Sequence, residues 1–162
     1  MPDAELAARI AHIEAREELR DLIARYCHAV DGRDFDGILA LFAPDGSFST
    51  PWDRADGRDA MREWFETRIA KYEFTYHFPH SQLVEFHGDD RATGIVSMHA
   101  EHGIDGVCKP AGLRYDDEYV RIHGVWRFAS RHLSFRYYLA WSEMDGAFHE
   151  GAVTGRPPSS QA

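Results

Sequence analysis

The sequence predicts an α+β fold in which three N-terminal helices pack on a curved antiparallel sheet and enclose a pocket. Apolar residues recur at helical spacing as far as Lys71, and beyond Lys71 they alternate with polar residues as they do in strands. The helices are the only segments available to cover one face of the sheet. We therefore expect a cone with a cavity at its mouth, formed by one domain over residues 1–154 and followed by a flexible tail over residues 155–162.

The first helix is predicted over residues 3–30, because this stretch contains almost no helix-breaking residue. Its apolar residues form two stripes that are out of register with each other, which predicts a kink or break near residues 14–18. The leading stripe would then pack elsewhere, for example on a second subunit. Gly32 should end the helix in the left-handed conformation. The two stripes consist of Leu6, Ile10 and Ile13, and of Leu19, Leu22, Ile23, Tyr26, Cys27 and Val30.

Two shorter helices should follow the first. Asp34 can cap a second helix over the apolar residues of the 35–42 segment. Residues 44–46, which read Pro-Asp-Gly, predict a turn, and Phe48 is expected on a short strand after it. A third helix should begin within residues 56–59. Its apolar face would consist of Met61, Trp64, Phe65 and Ile69.

The second half of the chain should form the sheet. Hairpin turns are expected at residues 88–90 and 123–124, and residues 103–112, with a proline and three glycines, are expected to form a loop. On the last strand, strict alternation points His132 inward, whereas a bulge would point Arg131 inward, so the pattern leaves both open. The strands are predicted at about residues 76–78, 82–87, 91–102, 114–122 and 125–139.

Charge and composition restrict the class of partner. The formal net charge of -9 argues against a nucleic acid or an anionic membrane, because those partners need clustered Lys and Arg and no basic run occurs. Aromatic residues make up 13% of the chain, which suggests a large core or an aromatic-lined cavity. The two cysteines, Cys27 and Cys108, do not make a disulfide scaffold. No secretory signal or apolar run of membrane-spanning length is recognised, so we expect a cytoplasmic protein.

Asp31 is a candidate acid–base residue because it lies where the first helix ends, beside Gly32. The negative pole of the helix dipole disfavours its ionisation and burial would act the same way, so its pKa should rise toward the range that suits a general base. The alternative is a solvated residue of an Asp-Gly turn, and Asp31 taken alone favours that alternative. Tyr26, five residues earlier, lies about 140° away around a regular helix.

The ten histidines include two pairs with a spacing of three on predicted strands, His77 with His80 and His99 with His102. That spacing places the members of each pair on opposite faces of a strand, so neither pair is a natural chelate and no metal site is predicted. No phosphate loop, dinucleotide fingerprint or serine-centred nucleophile elbow occurs. We therefore expect no cofactor.

Four segments share the pattern of a known family: residues 17–26 (EELRDLIARY), 30–36 (VDGRDFD), 41–46 (LFAPDG) and 115–128 (YDDEYVRIHGVWRF). Together they resemble the SnoaL-like domain, which belongs to the nuclear transport factor 2-like (NTF2-like) superfamily. The likeness extends over roughly residues 13–135. It implies the cystatin/NTF2-like cone as the fold.

Within that superfamily the chain is most similar to the group of scytalone dehydratase, hexachlorocyclohexane dehydrochlorinase and bile-acid dehydratase. These enzymes share an Asp just past the first helix and a His on the strand after the third helix, so the resemblance implies that Asp31 and His77 form a catalytic dyad. It also implies that Tyr26 polarises the substrate and that Arg131 is the catalytic arginine of the last strand. His80 competes with His77 for the place of the pocket histidine. We expect the substrate to contact His99, His80, Trp64 and Phe48.

The resemblance implies a cofactor-independent lyase of the dehydratase type. Asp31 would orient His77, His77 would remove a proton, and Tyr26 or Arg131 would stabilise the charge as water or a similar group leaves. The substrate would be a small cyclic or aromatic apolar molecule. Two alternatives stay open: an isomerase or polyketide cyclase with the same proton-transfer pair, and a non-catalytic domain that binds a small molecule. A homo-oligomer, dimer or trimer, is expected because apolar surface is left to cover.

Overall fold

Helices and strands follow one another in the predicted order in the computed structural model, which describes residues 3–145. The predicted tail at residues 155–162 lies outside this range. The helices are α1 (Asp3–Asp31), α2 (Phe35–Ala40) and α3 (Gly57–Ile69), and a single 3-10 turn spans Trp141–Glu143. The strands are β1 (Phe42–Ser49), β2 (Arg54–Asp56), β3 (Phe74–Phe86), β4 (Arg91–Ile104), β5 (Val107–Ile122) and β6 (Val125–Tyr138).

The strands form one curved sheet, and the helices cover one of its faces, which we call the inner face. The spatial order of the strands is β2-β1-β6-β5-β4-β3, so the sheet stays open at β2 and β3. Within residues 3–145 every strand pairing is antiparallel except the one between β1 and β6, which is parallel. The predicted arrangement of three helices on a curved sheet is confirmed, and the parallel pair makes the sheet a mixed one.

The core lies between the helices and the inner face. Alternate residues of β4 and β5 point inward, as the strand period requires, and they pack against the second apolar stripe of α1 and against α3. None of the helices within the described range combines the length and hydrophobicity needed to cross a bilayer. The most deeply buried apolar side chains include Leu19, Ile38, Phe42, Phe48, Val96 and Phe128.

Helix α1 is continuous over 29 residues, so the predicted break near residues 14–18 is wrong. That segment contains no Gly or Pro, and nothing in it interrupts the backbone hydrogen bonds. The change of register has a simpler cause. The first turns of α1 are exposed, and burial begins only at Ala15.

The end of α1 is held against the start of β3. Arg33, and not Gly32 as predicted, adopts the left-handed conformation, with φ of 55°. Asp34 N–H donates to the Ala29 carbonyl at 2.8 Å, which closes the helix in the pattern of a Schellman motif. The Arg33 guanidinium donates to the carbonyls of Tyr72 and Glu73 at 2.6 and 3.2 Å. These bonds fix the last residue of α1, Asp31, beside β3.

The boundaries of several elements differ from the prediction. Residues 44–46 lie inside β1, where the pairing with β6 shifts register, instead of forming a separate turn. The two strands predicted at 76–78 and 82–87 are one strand, β3, with a register shift between Pro79 and Ser81. Most of the predicted loop at 103–112 is strand, because a tight turn at residues 105–106 reverses the chain.

Candidate active site

The carboxylate of Asp31 accepts three hydrogen bonds from β3. His77 Nδ1–H donates to Oδ1 at 2.6 Å, the His77 backbone N–H donates to Oδ2 at 2.9 Å, and the Thr75 hydroxyl donates to Oδ1 at 3.0 Å. Thr75 and His77 are two residues apart, so both side chains lie on the inner face of β3. The end of the helix and the start of the strand therefore build one rigid unit around the carboxylate.

The bond to Asp31 also fixes the protonation of the His77 ring. A carboxylate oxygen can only accept, so the Nδ1 atom of His77 carries the hydrogen. In the neutral ring Nε2 is then the acceptor, with its lone pair available to a ligand. His77 lines a cavity between the helices and the inner face of the sheet, and its side chain is 6% exposed. The pair thus has the arrangement of a base oriented by a carboxylate.

Asp31 remains ionised, contrary to the expectation that its pKa would rise. Burial raises the pKa of Asp31, but the hydrogen bonds and charge of His77 together with the bond from Thr75 outweigh burial, and the pKa lies below its ordinary value. The negative pole of the α1 dipole acts to raise the pKa of Asp31, but the three hydrogen-bond donors are closer to the carboxylate and their opposite effect is larger. Asp31 is therefore suited to orient His77 and to stabilise a His77 cation, and less suited to take up a proton itself.

An aromatic cavity of about 80 Å³ opens between α1, α3 and the inner face of the sheet. This volume is several times what one buried water needs, so the cavity has room for more than a single water molecule. Phe48 and Trp64, two of the predicted substrate contacts, line it and contact each other with their ring planes tilted and their centroids 4.6 Å apart. Other aromatic residues that line it are Tyr26, Trp52, Phe65, Tyr72, Tyr115 and Phe135.

His102 is a second histidine of the cavity, and the sequence analysis did not assign it a role. It is buried on the inner face of β4, opposite Thr75, and its ring centroid lies 5.9 Å from that of His77. Its Nδ1 is 3.4 Å from the Lys109 carbonyl, which can only accept, so Nε2 is the free acceptor. Burial and the neighbouring His77 lower the pKa of His102 to about 3, so His102 is neutral at physiological pH.

Arg131 faces inward but does not line the cavity. A bulge in the pairing of β5 with β6 turns Arg131 toward the interior and His132 outward, where His132 bonds Ser49. The guanidinium is fully buried, and its Nε lies 3.2 Å from an oxygen of Asp117. The expected direct role of Arg131 at the substrate is therefore not supported by its position, because aromatic rings separate it from the cavity.

His80 and His99 lie outside the cavity, which corrects their prediction as substrate contacts. His99 points to the outer face of β4, and His80 lies at the register shift of β3, where it is exposed. Their rings stack on each other at 6.4 Å with an angle of 9° between planes, on the surface away from the helices. The alternation along β4 could have distinguished these two histidines in the sequence. His102 lies an even number of residues from the apolar Met98 and Ala100 and therefore faces inward with them, whereas His99 faces outward.

A family model supports the resemblance on which the site prediction rested. The model for the SnoaL-like domain matches residues 11–132. The chain belongs to the SnoaL-like family. Asp31, His77 and His102 all lie within the SnoaL-like match, and so does Arg131. The part of this SnoaL-like chain that the structure describes contains no group of three or more His, Cys, Asp or Glu residues that could hold a metal ion.

Relatives in sequence carry no assigned function. Uncharacterized proteins of Mycobacterium bovis and Mycobacterium tuberculosis are each 26% identical to this SnoaL-like chain over 126 residues, which is 75% of this chain and 86% of theirs.

Solved structures confirm the cystatin-like NTF2 fold. A hexachlorocyclohexane dehydrochlorinase, LinA-type3 from Novosphingobium barchaimii, superposes with a TM-score of 0.77 at 16% identity, over 84% of this chain and 96% of that one. A candidate scytalone dehydratase from Novosphingobium aromaticivorans gives 0.76 at 20% identity, over 93% and 99%. An NTF2-like protein with a cystatin-like fold from the same organism gives 0.68 at 26% identity, over 82% and 88%. The structural neighbours thus include lyase-type enzymes.

Proposed function

We propose that this protein is a cofactor-independent lyase that removes a proton from carbon in a small cyclic, largely apolar substrate. The observation that carries the proposal is the hydrogen-bonded pair of Asp31 and His77 at the wall of an aromatic cavity. Perturbed, oriented titratable groups in an apolar cleft are typical of proton-transfer sites. The structural likeness to a dehydrochlorinase and to a candidate scytalone dehydratase supports elimination as the reaction class.

The proposed step begins with His77 neutral and Nε2 facing the substrate. Nε2 takes a proton from a carbon atom, the electron pair forms the new double bond, and the group on the neighbouring carbon leaves. When that group is a hydroxyl, the proton that His77 now holds passes to it, and it departs as water. Asp31 stabilises the imidazolium between the two transfers, because its carboxylate is ionised and 2.6 Å from Nδ1.

Other cavity residues have supporting roles in the proposal. His102 has a pKa of about 3, so it is an acceptor and not a proton donor, and its Nε2 is suited to accept a hydrogen bond from a substrate hydroxyl. The buried Trp64 Nε1–H has no hydrogen-bond partner among the described residues, so a polar group of the substrate would satisfy it. The aromatic walls exclude water, which strengthens the electrostatic effect of Asp31.

The proposal is tested with a general probe for carbon deprotonation. Nitrobenzisoxazole loses its ring C–H proton to a base while its N–O bond breaks, and the product is a coloured cyanophenolate. We expect the wild-type protein to accelerate this ring opening, and His77→Ala to lower the rate by about 100-fold or more, since a positioned base contributes on that order. Asp31→Asn should lower it at least as much, because the amide neither orients nor stabilises the cation as a carboxylate does.

His80→Ala is the matched control, because it removes a histidine three residues along the same strand whose ring lies outside the cavity. It should leave the rate unchanged, and circular dichroism should report a folded chain for all three variants. Full activity in folded His77→Ala or folded Asp31→Asn would overturn the proposal. With a cyclic β-hydroxy ketone as substrate, a product of unchanged mass would indicate an isomerase in place of a lyase.

A further inference from the structure

The cavity between the helices and the sheet is smaller than the ring of the proposed substrate requires. Its volume is about 80 Å³, whereas a protein cavity that binds benzene measures about 150 Å³ and pockets for drug-sized ligands begin at about 300 Å³. The side chains at its floor are packed in the core, with Tyr26, Phe65 and Tyr115 each exposed by 2% or less. A ring can therefore enter only when another part of the cavity wall moves outward.

The wall nearest the solvent is formed by residues 50–53, which connect β1 to β2 and which we call the β1–β2 loop. Three of them line the cavity, namely Thr50, Trp52 and Asp53. Trp52 is the most exposed of the residues that line the cavity, at 43%. Its ring lies 5.7 Å from that of Phe135, which lines the cavity from β6. The β1–β2 loop thus covers the mouth of the cavity.

Hydrogen bonds inside the β1–β2 loop make it a rigid unit. Thr50 N–H donates to the Asp53 carbonyl at 2.8 Å, and the Thr50 hydroxyl donates to the Asp53 carboxylate at 2.6 Å. The oxygen of the same hydroxyl accepts from the N–H groups of Trp52 and Asp53 at 3.2 and 3.3 Å. Pro51 restricts the backbone further. When the loop moves, Trp52 and Asp53 should therefore move together.

The hairpin that carries the β1–β2 loop lies at an edge of the sheet. β2 has three residues, and its pairing partner is β1, on the side away from the edge. The pair of Ser49 with Arg54 is the last of this ladder before the loop. Loops and short edge elements open at a lower free-energy cost than core strands do. The β1–β2 loop is therefore the part of the cavity wall best suited to move.

An ion pair ties the β1–β2 loop to α3. Arg68 Nη2 donates to Asp53 Oδ2, and the two side chains are 21% and 26% exposed. The Arg68 guanidinium also lies 5.6 Å from the ring of Trp64, and both residues line the cavity. A hydrogen bond between charged groups is stronger than one between neutral groups, and partial burial protects it from screening by salt. The pair thus holds the loop against the helix.

We propose that the β1–β2 loop is a gate of the cavity and that the ion pair of Asp53 with Arg68 holds it closed. Opening breaks this pair and carries Trp52 away from Phe135, which widens the cavity enough for a six-membered ring. The gate is closed in most molecules, so the affinity for a ring is reduced by the fraction that is open. The proposal rests on the proposed function for the size of the substrate alone, because access does not depend on the role of His77.

Binding of nitrobenzene, followed by stopped-flow quenching of tryptophan fluorescence, tests the gate without turnover. Asp53→Asn removes the charge of the pair and keeps an oxygen that can accept from the Thr50 hydroxyl. It should raise the association rate constant by about 3- to 10-fold and lower the Kd by the same factor, the effect of one partly exposed hydrogen bond between charged groups. An unchanged or higher Kd in folded Asp53→Asn would overturn the proposal.

Arg68→Gln is a second variant that breaks the same pair. It should also tighten nitrobenzene binding, and the double variant should exceed the stronger single variant by less than about twofold, because both substitutions remove one interaction. Raising the salt concentration from about 0.05 M to about 0.5 M should speed association in the wild type more than in Asp53→Asn, since salt screens the pair. Fully additive effects, or equal salt dependences, would contradict a gate held by this pair.

Asp36→Asn is the matched control, because Asp36 forms an ion pair with Arg62 of the same helix and neither residue lines the cavity. It should change the association rate constant and the Kd of nitrobenzene by less than about twofold. An effect as large as that of Asp53→Asn would overturn the special role of the pair at the mouth. Because nothing is turned over in these measurements, a failure of the proposed lyase step would leave their outcome unaffected.

Discussion

At the scale of single residues, Asp31 illustrates what the chain pattern leaves open. As part of an Asp-Gly sequence after a helix it is best interpreted as a solvated turn residue. The contacts that change this interpretation come from Thr75 and His77, more than forty residues away along the chain. Helical and strand periodicities describe one element at a time, so they cannot predict such a contact. Only the family resemblance connected Asp31 with His77.

His102 gives a prediction about acid stability. Burial holds its pKa at about 3 in the folded protein, against 6.5 for an ordinary histidine. Between these two values the unfolded chain binds more protons at His102 than the folded chain does, so the free energy of unfolding should rise with pH through this window and fall as the pH drops from 6.5 toward 3. The contribution of His102 to the slope is at most about 1.4 kcal/mol per pH unit.

His102→Asn removes the titrating group and keeps a side chain that can bond the Lys109 carbonyl. Urea unfolding of this variant, measured at several pH values below 6.5, should therefore depend less steeply on pH than that of the wild type. Asp117, whose pKa burial raises to about 6, acts with the opposite sign over part of the window but is present in both proteins. Parallel pH dependences would contradict the account of His102 as a buried neutral acceptor.

At the scale of elements, α1 combines two regions with different environments in one helix. Its apolar residues up to Ile13 are exposed, at 47% for Leu6, 47% for Ile10 and 59% for Ile13, whereas Leu19 is 0% exposed. The break between the two apolar stripes was visible in the sequence, but it indicated where the core begins and not where the helix bends. Propensity governs the continuity of a helix, whereas tertiary packing determines which face is buried.

This division of α1 predicts unequal effects for two similar substitutions. Leu19→Ala should lower the free energy of unfolding by about 2 to 5 kcal/mol, because it leaves a cavity in the core. Ile13→Ala should change it by about 0.5 kcal/mol or less, because the side chain is exposed. Urea titrations of both variants at the same dilute protein concentration provide the comparison. A cost for Ile13→Ala close to that for Leu19→Ala would contradict the exposed position of the leading stripe.

The sequence predicted the positions of the strands in part, as it did for helix α1. Alternation located β4 and β6 within two residues at each end, since long strands with one buried face carry a strong pattern. The predicted loop before β5 failed because its glycines suggested irregular backbone. In the structure Gly103 and Gly112 lie under the rings of Phe74 and Tyr137, where any side chain would clash. A glycine that accommodates a ring from the neighbouring strand looks the same in sequence as a glycine in a loop.

At the scale of the whole molecule, the fold follows from the order of the elements. Helices that precede a long antiparallel meander must cover one of its faces, and the curvature of four long strands leaves an aromatic cavity beneath them. The parallel pairing of β1 with β6 joins segments about eighty residues apart and had no local signal. The oligomeric state stays a prediction. The exposed leading stripe of α1 keeps a second copy of the chain as its expected partner.

The central claim is that Asp31 holds the His77 ring with its hydrogen on Nδ1 and its lone pair on Nε2. Nitrogen NMR of the protein with isotope-labelled histidine side chains measures the protonation of both ring nitrogens directly. The account predicts that at slightly alkaline pH the His77 ring carries its hydrogen on Nδ1 and none on Nε2, and that Asp31→Asn, which removes the charged acceptor, disturbs this preference. A hydrogen on Nε2 with a bare Nδ1 in the wild-type protein would contradict it.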